Sequence, residues 1–171
     1  MKNILFLLLF VSFGAYGQDL PMFELTKKGI KPVVLEFPNK NAEELYKKSL
    51  KWVKDVYKNP SEVLKSDTPN EKIRIEGYKQ NIIHIVSIGK YHYNAIYTLE
   101  IDFKDNKTRL TLSFNKFTRT KSNSLYLSDF HKDNGEIRKM YAPAKADLEN
   151  YMNKLKSAYY NYILSDKKDD W

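Results

Sequence analysis

The chain contains no cysteine, and only six glycines and six prolines among 171 residues. Without cysteine there is no disulfide framework, no thiol catalysis, no thiolate metal site and no lipid attachment through a thiol. The few glycines form neither a phosphate-cradling loop nor a Gly-x-Ser-x-Gly elbow, which removes two common catalytic signatures. No Pro/Gly/Ser-rich linker divides the chain, and no internal repeat or low-complexity block is present. No apolar run reaches the roughly 20 residues that a membrane-spanning helix needs.

What is present begins with an address. Lys2 precedes the unbroken apolar run Ile4 to Val11, and Ala15-Tyr16-Gly17 places small residues where a signal peptidase reads. The expectation is export, cleavage between Gly17 and Gln18, and a periplasmic or secreted mature chain with no transmembrane span. Removing residues 1–17 of 171 leaves 154, a length suited to one domain over 18–165 with a polar tail over 166–171. Net charge falls from +8 to +7, because Lys2 is the only charged residue lost. Net positive charge serves solubility in ordinary domains and also concentrates anionic polymers or lipid head groups; export keeps the chain from the genome, so no nucleic acid is expected. Hydrophobic residues at 42% supply a core, and thirteen tyrosines suggest half-buried positions with one wet end.

Along the chain, Val33, Leu35 and Phe37 alternate as a first strand that Pro38 closes. Asn41 with Glu44 reads as a capping box opening a helix. Leu45, Tyr46, Ser49, Trp52, Val53, Val56 and Tyr57 form its buried stripe, and Asn59-Pro60 ends it. Its lysines face Glu43 and Glu44 at helical spacing and read as a solvated face. Pro60 to Leu64 suggests one more helical turn, and Lys65 to Glu71 a polar connection. Two strands about Ile73-Ile75 and Ile83-Ile88 are expected to fold back at Gln80-Asn81. That loop pairs Ile75 with Val86, Ile73 with Ile88 and Gly77 with His84.

The next hairpin is the firmest inference. Tyr91 to Phe103 alternates apolar and polar residues, with Ile96 the one lapse on the wet side. Asp105-Asn106 supplies the turn, since both residue types tolerate positive φ. The register follows: Phe103 faces Thr108, Ile101 faces Leu110, Leu99 faces Leu112 and Tyr97 faces Phe114. On the other side Asp102 meets Arg109, Glu100 meets Thr111 and Thr98 meets Ser113, each pair contributing roughly 0.2–1 kcal/mol. Arg119 to Ala142 carries the turn signal Asn134-Gly135 and room for a short extra hairpin. Pro143 then opens a last helix with the stripe Ala144, Leu148, Tyr151, Met152, Leu155, Tyr159, Tyr162 and Ile163.

These pieces predict an α+β fold of order β-α-β-β-β-β-α, an antiparallel sheet with two helices packed on one face. The segments Val33 to Pro38, Glu44 to Tyr46, Leu50 to Val53, Lys72 to Gly77 and Tyr97 to Phe117 carry a resemblance. The chain resembles a family of exported bacterial proteins known as domain of unknown function 4468, with a fold like the TATA-box-binding protein. The resemblance spans Met22 to Phe117 and the last helix; it lacks an expected glycine near Glu71 and does not extend to Arg119–Ala142. It implies a fold and a compartment but no reaction, and the fold name does not imply DNA binding.

No catalytic, cofactor-binding or metal-ligating set is expected. His84, His92 and His131 lack paired helical spacing and an evident carboxylate partner. Glu100 and Asp102 share a strand face with Arg109 and Thr111, which reads as neutralised surface charge. The remaining candidate is the sheet face opposite the helices. Its expected occupants are Ile96, Thr98, Glu100, Arg109, Thr111, Ser113, Asn115 and Phe117, with Lys116, Arg119 and Lys121 near the strand end. The first functional expectation is a non-enzymatic envelope module that binds another protein through this face or through Arg119–Ala142. The alternative is a binder of anionic polymers or lipid surfaces through the Lys116–Lys121 cluster, and an envelope hydrolase comes third.

Overall fold

The computed structural model describes residues 20–120 and 123–165; the cleavage site at Gly17 and Gln18, Lys121 and the tail lie outside them. A small ribbon of β1 (Leu25–Thr26) and β2 (Gly29–Ile30) precedes β3 (Val33–Glu36), α1 (Ala42–Val56) and the one-turn α2 (Pro60–Val63). Then come β4 (Leu64–Thr68), β5 (Lys72–Val86), β6 (Lys90–Lys104), β7 (Lys107–Thr120), β8 (Asn123–Leu125) and α3 (Ala142–Leu164). The main sheet runs β3-β7-β6-β5-β4, with β8 also on β7, and every pairing is antiparallel.

The capping box forms: Asn41 Oδ1 accepts the Glu44 N–H at 2.9 Å, and Glu44 returns a carboxylate oxygen to the Asn41 N–H at 3.1 Å. Together they satisfy two of the amides that a helix start leaves orphaned. α1 buries Leu45, Ser49, Trp52 and Val53, while Val56 at the helix end is 53% exposed. α3 buries Ala144, Leu148, Met152, Tyr159 and Ile163, and also Lys156. The Lys156 ammonium reaches the Pro21 carbonyl at 2.8 Å, so this cation sits in the stripe by finding a backbone acceptor.

The β6–β7 hairpin turns at Asp105-Asn106 with Asn106 at φ 64°, and all seven expected pairings are present. Its corner docks on the start of α1, where Asp105 accepts the Ala42 N–H at 2.9 Å. Burial alternates accordingly: Leu99, Ile101, Leu110 and Leu112 face the core, and their polar neighbours face outward.

The preceding strands differ from expectation. β5 does not turn at Gln80-Asn81 but runs unbroken to Val86, and the corner lies at 87–89. Ile75 therefore pairs with Leu99, Ile73 with Ile101 and Gly77 with Tyr97, in place of Val86, Ile88 and His84. Asn81 does adopt a positive φ of 50°, and its N–H donates to Asn94 Oδ1 at 2.9 Å. The register jumps there from Lys79↔Ala95 to Ile83↔Tyr93. The left-handed residue thus builds a bulge, and consecutive Ile82 and Ile83 are both buried. A long partner, β6, keeps the strand going, because turning back would leave that partner's amides unpaired. The polar stretch after Leu64 is likewise not a connection: it forms β4, a short charged edge strand on β5.

The described residues of the segment 119–142 are packed rather than loose. β8 extends the sheet edge, and Gly135 at φ 91° turns the chain so that His131 bridges Ile137. Phe130 and Tyr141 stack at 5.0 Å and continue a row of rings through Phe117 (5.6 Å from Phe130) to Phe114 (5.5 Å from Phe117).

Candidate interaction face

The outward side chains of β5, β6 and β7 form ordered rows. Lys72, Asp102 and Arg109 make the first, Arg74, Glu100 and Thr111 the second, and Glu76, Thr98 and Ser113 the third. Tyr78 and Ile96 pair in the fourth. The first two rows pair three cations with two carboxylates. Arg109 Nε lies 2.9 Å from Asp102, Lys72 Nζ 3.1 Å from Asp102 and 3.7 Å from Glu100, and Arg74 Nε 3.7 Å from Glu100. Asp102, at hydrogen-bond distance, holds the Lys72 ammonium above its ordinary pKa. Such exposed pairs stabilise by only ~0–1 kcal/mol, and their main effect is to leave little free charge at this end.

The fourth row is apolar and open, with Tyr78 58% and Ile96 50% exposed. Next to it β7 bulges: Tyr97 pairs with Phe114 but Ala95 pairs with Phe117, so β7 carries one extra residue. Asn115 and Lys116 are exposed there. With Arg74, Glu76, Thr98 and Thr118 these side chains edge a concavity of about 430 Å³.

The same bulge corrects one expected site residue. Phe117 does not face solvent; it is 0% exposed, against Phe114 and Phe130. One added residue inverts every later side chain, because strand side chains alternate with period two. The sequence held the signal in the three-residue spacing of Phe114 and Phe117. Ile96, Arg109, Ser113, Asn115 and Lys116 are exposed, whereas the Arg119 guanidinium lies 4.3 Å above the Tyr91 ring and is partly engaged.

A second cluster had no legible signal. His84 has a carboxylate partner after all: Asp147 of α3 accepts the His84 backbone N–H at 2.9 Å and lies 2.5 Å from its Nδ1. β4 ends its pairing at Ile75, so the far half of β5 is a sheet edge, and Asp147 caps an amide on it. The His92 ring lies 5.9 Å from that of His84. Among the described residues no group of three or more His, Asp or Glu side chains is arranged to hold a metal ion. Nor is any described helix long and apolar enough to cross a membrane.

The fold is similar to that of a DUF4468 family protein from Bacteroides ovatus, with a TM-score of 0.63 at 12% identity over 87% of this chain and 93% of that one. It is also similar to a TBP-like protein from Parabacteroides distasonis, with a TM-score of 0.57 at 13% identity over 78% of this chain and 90% of that one. The sequence matches none of the curated proteins significantly. The family model for the domain of unknown function (DUF4468) with TBP-like fold matches residues 33–118, from β3 through the bulged end of β7, and the chain belongs to that family.

Proposed function

We propose that this chain is an exported, non-enzymatic module of the periplasm or envelope that binds another protein across its open sheet face. The observation that carries this reading is the Tyr78–Ile96 pair, apolar and exposed beside the Asn115-Lys116 bulge. The rest of the face spends its charge on internal ion pairs, so the unsatisfied surface is concentrated at one end. An exposed aromatic beside an aliphatic with a polar rim has the composition of a binding hot spot. The alternative reading, an anionic polymer or lipid surface, draws on the net charge, +8 for the full chain and +7 once residues 1–17 are removed. It is weakened because Arg119 is engaged over Tyr91 and Lys72, Arg74 and Arg109 are paired with acids, which leaves Lys116 as the single unpaired cation of the four rows and the bulge among the described residues. An envelope hydrolase has no specific observation in its favour.

A photo-crosslinking residue at Ile96 in the producing cell tests the reading. A discrete protein adduct at Ile96, lost in a Tyr78→Ser background and absent with the crosslinker at exposed Val56 on α1, is the expected result. No adduct at Ile96, or the same adducts from Val56, removes the sheet face as a binding site.

A further inference from the structure

A separate cleft of about 460 Å³ lies where the bulged end of β5 and the start of β6 meet α3. β5 contributes Lys79 and His84, β6 contributes Lys90 and His92, and α3 contributes Asp147 and Lys154. Each contribution has a local cause. The bulge at Asn81 separates Lys79 from His84 yet leaves both on the cleft. Asp147, Tyr151 and Lys154 are spaced four and three apart, which puts them on one helix face.

The charge balance of the cleft is uneven. Asp147 is its one carboxylate, and that group is spent on the backbone N–H and ring of His84. Lys79, Lys90 and Lys154 have no ion-pair partner among the described residues, and His84 Nε2 makes no hydrogen bond there. The sheet face holds Lys72, Arg74 and Arg109 against acids; this cleft gathers three ammonium groups and two imidazoles around a single engaged carboxylate. Converging unpaired cations on a concave wall raise the local concentration of anions. Ammonium groups bind phosphate as point charges, and His84, whose Nδ1–H is held by Asp147, adds a directed Nε2–H when it is an imidazolium. The volume falls within the range of small-molecule sites, and Ile82 and Tyr151 give the cleft an apolar wall for a ligand's uncharged part.

We propose that this cleft binds a small phosphate ester, its phosphoryl group held by Lys90, Lys154 and the histidine pair and its body lying against Tyr151. The proposal does not depend on the sheet-face reading, because the two sites share no residue.

The test is calorimetric titration of the mature chain with phenyl phosphate at low salt, with imidazole NMR shifts as a second readout. One-to-one saturable binding that perturbs His84 and His92 is expected. The Lys90→Gln/Lys154→Gln double variant should bind at least tenfold more weakly with an unchanged melt, and Lys116→Gln should bind as the wild type does. The absence of saturable binding, or equal weakening by Lys116→Gln, overturns the proposal. Binding to phosphatidylglycerol vesicles through Lys90 and Lys154 without phenyl phosphate binding also overturns it, and assigns the cleft to a lipid surface.

Discussion

Gly77 and Tyr97 face each other across β5 and β6, and the tyrosine ring occupies the space a side chain at 77 would need. A Cβ built on Gly77 would lie 2.3 Å from Tyr97 Cζ. The ring lying there puts the Tyr97 hydroxyl 3.0 Å from that of Tyr57 at the end of α1, and sets the ring 5.7 Å from Tyr151 of α3. One missing side chain thus lets a strand residue tie both helices to the sheet.

Gly77→Ala should therefore destabilise through overpacking, by about 1–3 kcal/mol. Urea unfolding of Gly77→Ala, Tyr97→Leu and the double variant checks the cause. The alanine should cost far less in the Tyr97→Leu background; equal costs in both would mean that the ring is not the obstacle.

Phe117 and Ile96 should behave oppositely, although both were expected on the wet face. Phe117→Ala removes a ring from the stacked row and should cost about 3–5 kcal/mol. Ile96→Ala lies in solvent and should stay within about 0.5 kcal/mol of the wild type. Chemical denaturation of the two variants decides whether β7 carries the bulge in solution.

Alkaline pH should act through two opposed sets of groups. Burial pushes the Tyr57, Tyr151 and Tyr159 hydroxyls above the ordinary value of 10. The folded chain keeps those protons where the unfolded chain loses them, so this stability is full below pH 10 and is lost as pH rises beyond it. Burial pushes the Lys156 ammonium below its ordinary 10.5. Here the unfolded chain holds the proton that the folded chain releases, so stability rises with pH up to about 10.5. Thermal melts from pH 7 to 12 should show a shallow rise and then a collapse, with tyrosinate absorbance appearing only on unfolding. Lys156→Met should remove the rise and keep the collapse; a rise that survives the substitution would exclude Lys156 as its source.

The asparagines show which features were legible. Asn106 and Asn81 both take positive φ, at 64° and 50°, and both looked like turn residues. At Asn106 the flanking residues alternate symmetrically, so the corner and the entire register follow from local pattern. At Asn81 the same conformation opens a bulge, because β6 is long enough to pair on both sides of it.

Sequence alone determined the parts that depend on neighbours along the chain: the Asn41–Glu44 cap, the apolar stripes of the two main helices, the Asp105-Asn106 corner and the α+β architecture. Period and turn chemistry act within a few residues, so the residues themselves carry that information. Only the tertiary structure decided where β5 continues, which way Phe117 points, that Lys65 to Thr68 pairs as an edge, and that Asp147 meets His84 from 63 positions away. Each of those outcomes depends on a partner brought close by the completed fold, and no local pattern encodes its distance.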